Sequence, residues 1–149
     1  MRRGQRTVLA SIDLDISGTG IVVLMGPGGT GKSSLLQALS GQSNAHGGRW
    51  GTLLFQGAPL QAATQPPVLV QQHARELGFS VLENLSAALR PQAGNKPQAL
   101  REQIDTRLQA LGATAVAAHL QQRVIDLPRG LARQVAILRA AFSGSALLL

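Results

Sequence analysis

Gly26-Pro27-Gly28-Gly29-Thr30-Gly31-Lys32-Ser33 decides the reading of this 149-residue chain. The stretch matches G-x-x-x-x-G-K-[ST] without a mismatch, and each residue type in it has a chemical reason. Glycine at 26, 28, 29 and 31 lets the backbone aim successive N–H groups inward as an anion nest. A helix that starts here adds the positive end of its dipole at the same point. Lys32 supplies a point charge suited to the β- and γ-phosphates of a nucleotide, and the Ser33 hydroxyl is placed for Mg²⁺. The stretch therefore predicts a site for a nucleoside triphosphate, and it leaves open what that nucleotide drives.

The flanks carry the pattern that such a loop requires. Residues 21–25 (IVVLM) form a continuous, β-branched apolar run, which predicts a strand buried on both faces of a parallel sheet. Residues 33–41 (SSLLQALSG) put Leu35, Leu36 and Leu39 on one helical face, with Gly41 where a C-terminal cap belongs. Strand, glycine loop and helix in that order predict an α/β fold. Upstream, residues 7–16 alternate apolar and polar as a half-exposed strand, and residues 50–56 and 68–70 predict two more strands. From there to about Arg123 the period turns helical. Residues 80–89 carry Val81, Leu82, Leu85 and Leu89 at helical spacing. Residues 97–112 put Leu100, Ile104, Leu108 and Leu111 on one stripe, with Asn95 as a cap before it, Pro97 in its first turn and Gly112 at its end. Residues 131–142 predict a further helix, and 146–149 begin an apolar strand that is cut short.

Composition narrows the function classes. With 44% hydrophobic and 14% charged residues, the chain is built to form a core. It has no cysteine, which excludes a disulfide scaffold, a Cys-based zinc site and thiol catalysis, and fits a reducing compartment. Asp13 and Asp15 interrupt any apolar core of a signal peptide, and no apolar run approaches the roughly 20 residues of a membrane span. His46, His73 and His119 stand alone, and Glu76, Glu102 and Asp105 fall on polar helix faces, so none of them reads as a metal ligand. The net charge of +7 includes a cluster of Arg2, Arg3 and Arg6. The three Phe and one Trp are not interleaved with arginines, so no nucleic-acid partner is expected.

Taken with its motifs, the chain resembles the ATP-binding cassette of ABC transporters over nearly its whole length. Residues 11–41 are similar to that family's opening strands and phosphate loop. Gln71 stands twelve residues before Glu83 in VLVQQHARELGFSVLENL, which resembles the family's Q-loop leading into its V-x-E-N helix. Residues 127–149 (LPRGLARQVAILRAAFSGSALLL) resemble the signature segment, its helix and the strand that leads to Walker B. The resemblance implies a P-loop NTPase fold of the ABC type with an inserted helical subdomain, C-terminally incomplete. Residues 1–74 would form the core with the P-loop, 75–126 the helical subdomain, and 127–149 the signature-like end. It implies ATP and Mg²⁺ as cofactors. Gly26, Gly28, Gly29, Thr30, Gly31, Lys32, Ser33 and Ser34 would hold the phosphates, Lys32 and Gln71 would act in catalysis, and Ser33 and Gln71 would hold the metal. The partners implied are membrane-spanning transporter subunits and a second ATP-binding domain, identical or not, at the cytoplasmic face of a membrane.

Departures from the family pattern set further expectations. The signature core lies at Leu127, Pro128, Arg129, Gly130 and Leu131, where the family has Leu-Ser-Gly-Gly-Gln. Pro128 stands in place of a serine hydroxyl and brings no side-chain cap, Arg129 replaces a glycine, and Leu131 replaces an amide. The Walker B acids and the switch histidine fall beyond Leu149, so these residues alone are expected to bind ATP without hydrolysing it. Two other readings stay open at this point. One is a different P-loop enzyme such as a kinase, and the other is a nucleotide-binding module without turnover.

Overall fold

The computed structural model describes residues 2–3, 6–7, 9–42, 51–70, 78–89 and 97–149. The chain divides into two compact units, Met1–Leu69 with Leu149, and Val70–Leu148.

In the first unit, β1 (Arg2–Arg3) pairs antiparallel with β2 (Arg6–Thr7). The central helix α1 spans Lys32–Leu39 and ends as its glycine demands. Gly41 sits at φ 74°, its N–H donates to Ala38 O and the Gln42 N–H donates to Gln37 O, which is the paired geometry of a Schellman cap. Leu35, Leu36 and Leu39 are half-buried, as the helical face predicts. Within the run read as a strand at 50–56, Leu54–Phe55 form β3, which pairs with β4 (Ala58–Pro59). Gln56 and Gly57 connect them at φ 54° and 78°, the two positive angles that a tight hairpin of matching twist needs. Leu60, buried, follows in a short 3-10 turn, and the Leu60 N–H donates to Leu53 O.

Two strand expectations are corrected here. Residues 21–25 make no strand pairing, and Ile21, Val22, Val23, Leu24 and Met25 are 93, 68, 70, 45 and 84% exposed. Residues 9–16 likewise form no strand, and Ile12, Leu14 and Ile16 are exposed. The physical reason is that strand hydrogen bonds are made only to neighbouring strands, and the strand pairings among the described residues are β1 with β2 and β3 with β4, which leave these runs out. The apolar runs at 68–70 and 146–149 do meet: the Leu149 N–H donates to Val68 O at 2.8 Å.

The second unit is helical: α2 (Val81–Ala88), α3 (Pro97–Ala110), α4 (Thr114–Ala117) and α5 (Arg129–Phe142). Their apolar stripes converge on one core. Val81 and Leu85 of α2 and Ile104 and Leu108 of α3 are fully buried, packed with Val116, Leu120, Val124, Val135, Leu138 and Phe142. Leu111 departs from the expected stripe and is 57% exposed, because α3 has ended before it. Gly112, at φ 65°, closes that end with a second Schellman cap, its N–H on Gln109 O and the Ala113 N–H on Leu108 O. The Arg107 guanidinium lies 5.5 Å from the centre of the Phe142 ring. The expected cap Asn95 lies outside the described residues.

Candidate functional site

The glycine loop enters α1 through Gly31, which sits at the helix N-cap with φ 93° and ψ 8°. That left-handed conformation is open to glycine at little cost and strains other residues. Gly29 also has positive φ, at 76°, and Gly26 sits at 154°. Gly28 is different: its φ is not positive, and an added Cβ would meet nothing within 4 Å. No atom of the protein itself requires glycine there. The open space lies on the loop, where a ligand's close approach would use it.

The N–H groups of Lys32, Ser33 and Ser34 open the helix, where no carbonyl one turn back can accept from them. The ladder starts with the Leu35 N–H on Gly31 O at 2.9 Å. No carboxylate stands in the first turn to use these donors, and no side chain caps it. Three aligned donors, a helix dipole and Ser33, whose side chain is exposed, make a surface suited to an anion with an attached cation. The Lys32 ammonium donates to Gly26 O at 2.7 Å and to Pro27 O at 2.6 Å. Thr30 Oγ1 donates to the same Pro27 oxygen at 2.9 Å. Reading the sequence did not anticipate this bracket, since nothing in residue spacing shows where a carbonyl will point.

The signature-like segment straddles the start of α5. Leu127 is buried, Pro128 is the N-cap at φ −54° and ψ 141°, and Arg129, Gly130 and Leu131 form the first turn. No side chain caps this helix, as the loss of a serine at 128 requires. Arg129 and Gly130 are exposed and Leu131 is half-buried. The helix begins two residues earlier than the expected 131.

The connection that precedes this segment is tied to the start of α2. The backbone N–H groups of Val81 and Leu82 at the start of α2 donate to Gln122 O and Leu120 O at 2.9 and 2.8 Å. The Val124 N–H returns to Phe79 O at 3.1 Å, and Ser80 bridges Arg123 antiparallel. The Ser80 hydroxyl accepts from the Glu83 N–H, and the Ser80 N–H and hydroxyl both donate to Glu83 Oε2 at 2.7 Å. These bonds hold the Glu83 carboxyl below the usual carboxylate range. Asn84, buried, adds its amide to Ser80 O and Phe79 O. Ser80 and Glu83 thus form a reciprocal capping box at the start of α2. The Arg123 guanidinium forks onto both oxygens of Asp126 at 2.7 and 3.1 Å, which raises its pKa further above neutrality.

Gln71, His46 and His73 lie outside the described residues. His119 is half-buried, with Nδ1 at 2.7 Å from Ala115 O. Among the described residues no three His, Cys, Asp or Glu side chains gather as a metal site, and no helix is long and apolar enough to cross a membrane.

A glycine loop with this backbone, delivering a lysine and a serine at a helix start, defines a P-loop protein. The chain belongs to the ABC transporter family: the family's model, described as "ABC transporter", matches residues 9–149. Relatives agree. The chain is 37% identical over 148 residues to the aliphatic sulfonates import ATP-binding protein SsuB 2 of Pseudomonas fluorescens, covering 98% of this chain and 50% of that protein. It is 33% identical over 146 residues to the sulfate/thiosulfate import ATP-binding protein CysA of Xylella fastidiosa, covering 90% of this chain and 39% of that protein. It is 34% identical over 119 residues to the hemin import ATP-binding protein HmuV of Plesiomonas shigelloides, covering 78% and 45%. The chain thus spans about half the length of the curated relatives it matches. Family membership carries the P-loop NTPase fold with it and sets aside the kinase reading.

Proposed function

We propose that this chain is part of an ATP-binding subunit of an ABC transporter, and that its glycine loop holds the phosphates of MgATP. The observation that carries this reading is the start of α1. Its first-turn donors lack a capping side chain, behind a loop whose glycines leave space and beside Lys32. In this reading the amides of residues 28–32 cradle the phosphates and Lys32 neutralises them. The Ser33 hydroxyl is one ligand of Mg²⁺ and Gln71 the other, and Gln71 also reports to the helical subdomain at 75–126. The residues fit such a group: Ser33 offers an oxygen donor suited to a hard cation, and the loop offers N–H donors to the anion it accompanies.

Relatives that import sulfonates, sulfate or hemin align with this chain at similar identity, so the cargo is not written in this part of the protein. In this reading the chain works with membrane-spanning partner subunits and a second ATP-binding domain at the cytoplasmic face of a membrane. A second reading, binding without turnover, is favoured by one observation: at Pro128 the signature-like helix has no hydroxyl to offer a nucleotide.

The first test is calorimetric titration with MgATP. Wild type should bind with micromolar affinity and Lys32→Ala should bind at least tenfold more weakly, since a charge-assisted contact contributes about 1.5–3 kcal/mol. Equal affinity of the two proteins would overturn the site. Phosphate release measured in parallel separates the two readings.

A further inference from the structure

We infer that Thr30 is a positioning residue of the phosphate loop, acting through the Pro27 carbonyl. The inference rests on the proposed binding of MgATP by this loop. Pro27 O accepts two hydrogen bonds, from Lys32 Nζ at 2.6 Å and from Thr30 Oγ1 at 2.9 Å. Gly26 O accepts a further bond from Lys32 Nζ at 2.7 Å. Two of the three N–H donors of the Lys32 ammonium are therefore spent on the loop's own carbonyls.

A phosphate entering the loop competes for that ammonium. As Lys32 turns toward it, the Pro27 carbonyl loses its charged partner while the ligand displaces water from around it. A carbonyl left unpaired in such a place opposes binding. The Thr30 hydroxyl keeps it paired, and it spans three residues to do so, which holds the arch of the loop in shape. Its single proton is committed to Pro27, so the hydroxyl donates to the loop and not to phosphate. What Thr30 offers a phosphate directly is its backbone N–H. The hydroxyl oxygen also stands near Gly26, 3.5 Å from where a Cβ on that residue would be.

The experiment is calorimetric titration of the whole chain with MgATP for wild type, Thr30→Val, Thr30→Ser and Lys32→Ala, with far-UV circular dichroism of each. Thr30→Val keeps the shape and removes the donor, and it should bind about fivefold more weakly. Thr30→Ser restores the donor and should fall within about twofold of wild type. If Thr30→Val loses helical signal, Thr30→Ala, which also lacks the donor, takes its place in the comparison. Wild-type affinity in the donor-free variant overturns the inference, and so does a Thr30→Ser protein as weak as Thr30→Val. Either result leaves the MgATP site standing. Failure of wild type to bind, or unchanged binding by Lys32→Ala, overturns the site itself and this inference with it.

Discussion

At the residue scale the chain separates groups that hold structure from groups left available. Glu83 belongs to the first kind. Its carboxylate accepts the Ser80 N–H and hydroxyl, and the bonds favour the ionised form. The folded-state pKa is therefore lower than the unfolded one. Its contribution to stability is fully present above the unfolded value of about 4.3 and is lost as pH falls through the depressed folded value. Thermal melts of wild type and Glu83→Gln should accordingly differ most near neutrality, wild type being the more stable. The gap should narrow as pH falls below that unfolded value. A gap that stays constant over that range would mean that the carboxylate's charge is irrelevant to the cap. Lys32 is half-buried and bonded only to the loop it stands on, which leaves its charge to be claimed by an incoming anion.

At the element scale the helices end where glycine permits. Gly112 holds φ 65° with open space around its Cβ position, so only its backbone angle resists a side chain. Gly112→Ala should cost about 1 kcal/mol and lower the melting temperature by a few degrees, with no change in MgATP affinity. A melting temperature equal to wild type would show that the Schellman cap of α3 is dispensable. The same locality explains what could be read in advance. The period of Val81, Leu85 and Leu89, and of Leu100, Ile104 and Leu108, is internal to each helix, and both stripes reach the core. The glycine loop was legible for the same reason, since it is a run of eight residues with its own backbone requirements. Residues 21–25 were not, because a strand forms only when another chain segment lies beside it. The bracket of Lys32 and Thr30 on Pro27 O was also hidden, because it depends on where a peptide plane turns.

At the scale of the whole molecule the two units are unequally secured. The second gathers a dozen buried apolar side chains from four helices and their connections, with Val81, Leu85, Ile104 and Leu108 wholly out of water. The first exposes the apolar run that leads into its own phosphate loop. Burial of that kind is what protects backbone amides, and exposed, unpaired backbone exchanges freely. Hydrogen exchange should therefore find the amides of Leu85, Leu108 and Leu138 about a thousandfold or more slower than those of residues 22–24. Strong protection at 22–24 in the isolated chain would mean that these residues pair in solution, and dilution would then distinguish pairing between copies from pairing within one. The run ends at Met25, directly before the first glycine of the loop, so the two are adjacent along the chain. Adding MgATP should slow exchange across residues 28–34, where the proposed site would hold the phosphates. Residues 22–24 should stay fast, and slowing at 22–24 alone would place the nucleotide's effect on that run and not on the loop.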